Sequence, residues 1–491
     1  MADSPTSSAP ASRIGGEAHE QHDVVIAANR LPVRLDGEGG WALSPGGLVT
    51  AMTAVMEGRD AVWIGWDGGL AGEDEEDAPP ARFGDMALRA VSLSETDYGD
   101  YYEGFSNGTL WPLYHNGLLS TRFRRSWWAA YRRVNEQFAN AAIEATAPDG
   151  TLWIHDYPLQ LVPAFVRAAR PDIRIGLFLH TPFPPSQLLM RLPWREEITD
   201  GLLATDVIGF QTPTDARNFL ALAHRMGRTD ETMPVDPVTE IKVEGRRVAV
   251  GSFPISVDVD RIDRLVRDPA TIAAAEAFRA ELGSPKHLLL GVDRLDYTKG
   301  IDARLKAFRE LLRDGAIDPD DVAFVQVATP SRDDVRGYSS TRTEIEQLVG
   351  AINGDFAQLG KPVLHYLHQN LPFEKLVELF VAADVMLVTP FEDGMNLVAK
   401  EYIACRTDGT GVLVLSEFAG TAVELHQALL CNPFDTAGTK RVIETALHLP
   451  VEEQRQRVRA MRAHLWSNTV HDWAEGFFRH LDDVHPRPAG R

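Results

Sequence analysis

His287–Leu312 reads HLLLGVDRLDYTKGIDARLKAFRELL. Its first part, His287–Val292, is an apolar run without polar alternation. Such a run suits a strand buried on both faces of a parallel sheet. A polar stretch follows, with Asp293, Arg294 and Lys299. Asp302–Leu312 then repeats its apolar residues with a 3.6 period, the pattern of a helix packed on one side. Strand, polar turn and helix in that order make one unit of an α/β fold.

The same unit recurs on both sides of it. Apolar runs stand at Asp23–Ala28 (DVVIAA), Ala61–Gly65 (AVWIG), Thr151–Ile154 (TLWI) and Arg174–Leu179 (RIGLFL). Beyond it they stand at Val322–Val327, Val363–Leu367, Asp384–Val388 and Gly411–Leu415. Helical periodicity fills stretches between them, such as Thr121–Ala145 and Arg342–Ile352. A boundary fits Phe253–Asp260 (FPISVDVD), with strand–helix units in similar number before and after. The expected fold is α/β, with two doubly wound Rossmann-like domains facing each other across a cleft. Residues 23–255 form the first domain in this reading, and residues 256–468 the second. Residues 1–22, rich in Ser, Ala, Pro and Gly, read as a disordered tail. In the remaining stretch, 469–491, an amphipathic helix over Thr469–Leu481 could cross back to the first domain.

Composition narrows the function. The 491 residues are 44% apolar and 24% charged, an ordinary globular balance. No apolar run reaches the ~20 residues of a membrane helix. The start lacks a basic stretch followed by an apolar core, which argues against a secretory signal and for a cytoplasmic protein. A net charge of −21 argues against nucleic acid as a partner. Phosphorylated small molecules need only a few local cations. Cys405 and Cys431 do not have metal-ligand spacing and are read as buried, reduced thiols.

In parallel sheets ligands bind beyond the carboxyl ends of the strands. Here nearly every such end carries polar residues: Arg30, Trp66-Asp67, His155-Asp156, His180, Asp293-Arg294, Arg332 and Asp393. Three features suit a phosphate. Gly46-Gly47 lets backbone amides approach an anion, or is simply a turn. Arg294 can grip two oxygens and Lys299 adds a point charge, unless both are surface ion pairs with Asp293 and Asp296. Asp393-Gly394-Met395-Asn396-Leu397 precedes the helical run Val398–Cys405, whose N-terminus would direct its dipole at an anion. Asp and Asn equally suit an ordinary cap there. Glu401, about two turns in, could reach ribose hydroxyls. Arg30 and Arg332 could hold a second phosphate across the cleft. Tyr102 and Trp111 offer a hydroxyl and a flat apolar face.

Seven segments together carry a resemblance. They are NRLP (Asn29–Pro32), GGL (Gly46–Leu48), YYEGFSNGTLWPLYH (Tyr101–His115), HDY (His155–Tyr157), HTPFP (His180–Pro184), GVDRLDYTKG (Gly291–Gly300) and DGMNLVAKEY (Asp393–Tyr402). In this set and order the chain resembles the trehalose-6-phosphate synthase family, retaining glycosyltransferases of GT-B architecture. The resemblance runs from Asp23 to about Trp473. It implies transfer of glucose from a nucleoside diphosphate glucose to glucose 6-phosphate, with no metal and no cofactor. It implies that Arg294, Lys299 and Gly47 attend the donor phosphates. Leu397, Val398 and Glu401 would line the nucleotide, and Asp393 and His180 the donor glucose. Arg30, Tyr102 and Arg332 would hold the acceptor and its phosphate, Asp156 the acceptor sugar, and Trp66 and Trp111 would shape that pocket. The resemblance also implies a homo-oligomer, a dimer or tetramer.

Two positions depart from the family pattern: Pro158, where many relatives have His, and Glu392, where Arg is common. The alternatives are a related transferase with another acceptor and a catalytically silent subunit that senses sugar phosphates. The silent subunit predicts losses among the donor residues, and the sequence has none. The identity of the nucleotide base stays open at this level.

Overall fold

A computed structural model describes residues 20–35, 40–44, 47–69, 79–117, 121–230, 237–330 and 336–485. Two large sheets organise them. The first has nine strands, in the order Val238–Val243, Arg246–Ser252, Val207–Phe210, Arg174–Phe178, Thr146–His155, His22–Arg30, Ala61–Trp66, Met86–Ala90 and Arg82–Phe83. All neighbours are parallel except the pair at each edge. The second sheet has six parallel strands, in the order Leu364–Leu367, Val322–Thr329, His287–Arg294, Val385–Val388, Val412–Ser416 and Leu429–Cys431.

Strand order locates the site. Numbered along the chain, the second sheet runs 3-2-1-4-5-6, the order of a dinucleotide-binding fold. The parallel part of the first sheet has the same order with one more strand. In each sheet the direction of winding reverses beside its first strand, and that switch point opens a crevice. The loops there follow His22–Arg30 and Thr146–His155 in one sheet, and His287–Arg294 and Val385–Val388 in the other. Arg30 ends the first of these strands, and the loops carry Asp156, Lys299 and Asp393.

The apolar runs become strands because both their faces are covered. Val25, Ile26, Ala27, Leu289 and Val325 are each fully buried. The helix expected over Asp302–Leu312 spans Ile301–Arg313, and the one expected over Arg342–Ile352 lengthens to Arg336–Phe356. The long helix begins at Arg125 rather than at Thr121. Tyr98–Leu110 winds as a π-helix, which its glycines and clustered aromatics conceal from a 3.6-period reading. The first strand starts at His22, the expected end of the tail, where the ring meets Asp60 Oδ1 at 2.6 Å.

Phe253–Asp258 leads from the last parallel strand of the first sheet into the helix Val259–Arg267. The chain passes back near the same point, where the Val470 amide donates to the Val257 carbonyl. The helix Val470–Val484 then lies on the first sheet. Phe477 stacks on Trp153 with centroids 4.7 Å apart, and Trp473 stands 5.0 Å from the same ring. Gly176 makes room for it, since a Cβ there would come within 2.5 Å of Phe477. Among the described residues no helix is long and apolar enough to cross a membrane.

Candidate active site

The loops at the second sheet's switch point converge on one ion pair. Lys299 Nζ donates to Asp393 Oδ2 at 2.6 Å, and Asn396 Nδ2 donates to the same oxygen at 3.0 Å. Burial opposes ionisation of Asp393, but the Lys299 charge and these hydrogen bonds outweigh it and hold the carboxyl below its ordinary value. Lys299 is presented by a tight turn. Gly300 sits at φ +61°, and a Cβ there would lie 2.3 Å from the Thr389 carbonyl oxygen. Asn396 takes φ 77° and caps the helix Leu397–Cys405, accepting from the Ala399 amide at 3.2 Å. The positive end of that helix therefore starts beside Asp393. Gly47, from the first domain, packs so close that a Cβ would fall 2.3 Å from Leu397 Cδ1.

On the first-domain side, Asp156 takes φ 71°, a strained value for a residue with a side chain. Its Oδ1 accepts from the amides of His180 (3.1 Å) and Thr181 (3.3 Å). Burial raises its pKa, and these bonds offset part of the rise. The His180 ring lies 3.1 Å from His155 Nδ1 and 3.4 Å from the Gln211 carboxamide nitrogen. Burial lowers the His180 pKa to about 3, so the ring is neutral at physiological pH. The Arg30 guanidinium stands 4.5 Å from the Trp66 ring centroid and 5.9 Å from that of Tyr102. Stacked aromatics of this kind hold a guanidinium while leaving its donors free to meet an anion.

Further contacts join the two halves. Arg294 lies over the Trp111 ring at 5.4 Å, so Trp111 of the first domain reaches the second. Asn116 Nδ2 donates to Glu392 Oε2 at 2.7 Å. Gly394 abuts the His180 carbonyl, and a Cβ there would come within 2.1 Å of that oxygen. Beside the helix Leu397–Cys405 is a pocket lined by Gly47, Thr50, Ser256, Arg261, Leu397 and Glu401, among others. Burial pushes the Glu401 carboxyl up to about 7, partly countered by the Arg261 charge.

Lys299, Asp393, Gly394, Asn396 and Leu397 thus meet in one cluster, and Arg30, Trp66 and Tyr102 in another. Gly46 and Arg332 lie outside the described residues. His155, marked in the sequence by its place at a strand end, is brought into this site, whereas Asn116 and Gln211 were not singled out by sequence. Asn116 and Gln211 gain their partners only through packing between distant segments.

The match to known proteins covers this whole arrangement. The model of glycosyltransferase family 20 matches residues 22–483. The chain belongs to glycosyltransferase family 20. Among family members, the trehalose-6-phosphate synthase of Mycolicibacterium vanbaalenii is 50% identical over 489 residues, covering 98% of this chain and 99% of that protein. That of Mycobacterium avium is 50% identical over 473 residues, covering 95% and 96%. A solved structure is similar too: an alpha,alpha-trehalose-phosphate synthase (UDP-forming) from Burkholderia xenovorans in complex with glucose-6-phosphate. It has a TM-score of 0.86 at 34% identity, with 94% of this chain and 99% of that one covered. An E. coli structure bound with UDP-2-fluoro glucose has a TM-score of 0.85 at 33% identity, covering 94% and 100%. The family 20 fold is therefore the GT-B arrangement of two Rossmann-like sheets.

Proposed function

We infer that this protein is a retaining glucosyltransferase of trehalose biosynthesis. It moves glucose from a nucleoside diphosphate glucose to glucose 6-phosphate, giving α,α-trehalose 6-phosphate and the nucleoside diphosphate. The observation that carries the reading is the juxtaposition at the cleft. The Lys299–Asp393 pair and the start of the helix Leu397–Cys405 stand on one side. The Gly394 loop then abuts His180 on the other.

The residue roles follow from charge. As the donor C1–O bond breaks, positive charge grows on the sugar and negative charge on the departing phosphate. Arg294, Lys299 and the helix N-terminus stabilise that anion without reorganising. Cationic side chains thereby supply what a metal supplies elsewhere, and no cofactor takes part. Asp393 orients Lys299 and faces the donor sugar with His180. Glu401 and the pocket behind the helix take the ribose side of the nucleotide. Arg30, backed by Trp66 and Tyr102, binds the acceptor phosphate and so orients the attacking hydroxyl. Asp156 addresses the acceptor sugar. The acceptor oxygen bonds to C1 on the face the phosphate leaves, and its proton passes to that phosphate oxygen. Retention then needs no carboxylate nucleophile.

Nucleoside diphosphate release from UDP-, ADP- and GDP-glucose, with and without glucose 6-phosphate and in the presence of a chelator, tests this reading. Release that requires glucose 6-phosphate and survives chelation is expected. Absence of release with every donor overturns the assignment. Release lost to the chelator overturns the metal-free mechanism alone. The protein acts in the cytoplasm as a homo-oligomer in this reading, which mass determination in solution checks.

A further inference from the structure

One peptide of the segment joining the two sheets is held from both sides. The Ile255 amide donates to Gln211 Oε1 at 3.0 Å. The Ile255 carbonyl accepts from Lys400 Nζ at 2.7 Å. Gln211 follows a strand of the first sheet, and its carboxamide nitrogen faces His180 Nδ1 at 3.4 Å. Lys400 belongs to the helix Leu397–Cys405, next to Glu401. The three residues are 1%, 2% and 0% exposed for Gln211, Ile255 and Lys400.

The Lys400 ammonium pairs with Glu424 at 2.6 Å, and Glu424 Oε1 meets His464 at 3.1 Å. Stability does not account for this pair, because apolar residues of similar volume commonly replace a buried ion pair at no cost. An apolar side chain could not reach the Ile255 carbonyl with a donor. The Gln211 orientation is likewise set. Its oxygen takes the Ile255 amide, so its NH2 group donates to His180 Nδ1. That leaves the His180 proton on Nε2, directed at His155 Nδ1 3.1 Å away.

We propose that Lys400 is a positioning residue for glycosyl transfer. It ties the donor helix to the Ile255 peptide and, through Gln211, to His180, so that the phosphate cage and the first-domain sugar contacts share one register. The transition state uses both halves at once, and a misplacement of about 1 Å can cost ~100-fold in rate. The clamp touches neither substrate, so it acts on turnover more than on binding.

The inference rests on the synthase reading, and its test separates the two. Lys400→Met alone would strand Glu424, so the charge-balanced Lys400→Met/Glu424→Gln enzyme is the one to measure. Its kcat is expected to fall by about 10- to 100-fold, while KM for donor and acceptor moves less than about 3-fold. Combined with Gln211→Met, the losses should fall short of their product, because both side chains act through one peptide. Amide hydrogen exchange over 253–258 should quicken in the Lys400→Met/Glu424→Gln protein relative to the strands, whatever the reaction. Wild-type kcat in that folded variant, losses that multiply, or unchanged exchange each overturn the clamp. A wild-type enzyme that fails to turn over indicts the synthase reading instead, and exchange still decides the clamp.

Discussion

Lys299 Nζ and Asp393 Oδ2 stand 2.6 Å apart, joining the loops that follow the two strands at the second sheet's switch point. The pair fixes the ammonium at that switch point, where in the proposed reaction a departing phosphate develops charge. Lys299→Met should therefore lower kcat at least 100-fold, an electrostatic loss of the size seen when one transition-state donor is removed. It also leaves Asp393 without its counter-charge, which should cost on the order of 3 kcal/mol in stability. The sign with pH follows from the depressed Asp393 value. The pair's stabilisation is complete above the unfolded carboxyl value of ~3.9 and disappears as pH falls through the lower folded value. Thermal melts should show the variant's deficit at neutral pH and its closure in strong acid.

Gly394 and Gly47 are both crowded, but against different obstacles. At Gly394 an added Cβ meets the His180 backbone carbonyl at 2.1 Å, and at Gly47 it meets only the end of the Leu397 side chain at 2.3 Å. Backbone cannot step aside without moving the domain it belongs to, whereas a leucine can change rotamer. Gly394→Ala should cost about 100-fold in kcat by displacing the donor loop. Gly47→Ala should cost less than about 10-fold, read as a KM change for the donor. Equal losses in steady-state kinetics would contradict the contrast.

Glu392 and Glu401 both carry carboxyls raised to about 7, in each case chiefly by burial. Around Glu392 the charges of Asp215 and Asp393 add to the rise, and the Asn116 hydrogen bond reduces it. A raised acid holds its proton in the folded state while the unfolded chain, with a Glu value of ~4.3, has released it. Stability conferred this way is complete below that value and is lost as pH climbs to about 7. Glu392→Gln and Glu401→Gln should each flatten the fall in Tm between roughly pH 5 and pH 7. A slope identical to wild type in both variants would contradict the burial argument.

Phe477 is fully buried where the last helix meets the first sheet, stacked on Trp153 and close to Gly176 and Gly209. Phe477→Ala should cost about 3–5 kcal/mol, the usual loss for a large aromatic removed from a core. Denaturant titration gives the value. Gly176→Ala should destabilise for the opposite reason, since its methyl group would press into the same ring at 2.5 Å.

The fold was legible where the chain buries a strand on both faces. HLLLGV and DVVIAA read as strands because no face needs polar residues. Val207–Phe210 and Leu429–Cys431 escaped because runs so short are indistinguishable from core fragments of helices. The edge pair Val238–Val243 and Arg246–Ser252 carries charged residues on its open side, which breaks the apolar run. At the site, sequence could place residues at strand ends, because that position is set by local pattern. It could not show which ends meet. The Asn116–Glu392 bond and the Gly394–His180 contact depend on how the two sheets face each other, and no window of the chain records that.

Arg294 and Trp111 bring the two halves together differently, by a guanidinium over a ring at 5.4 Å. Arg294 is exposed, and its ion pair with Asp296 is 3.9 Å long, so the ring is the firmer support. A cation–π contact of this exposure contributes about 0.5–1 kcal/mol. Trp111→Phe keeps a π face and should lower kcat less than about 3-fold, whereas Trp111→Ala should cost about 10-fold by releasing the guanidinium. Arg294→Ala should cost far more, because the leaving phosphate loses a charge rather than a support. In the Arg294→Ala background, Trp111→Ala should then add almost nothing, since its partner is already gone. Losses that multiply across this pair would assign Trp111 a direct contact with a substrate instead.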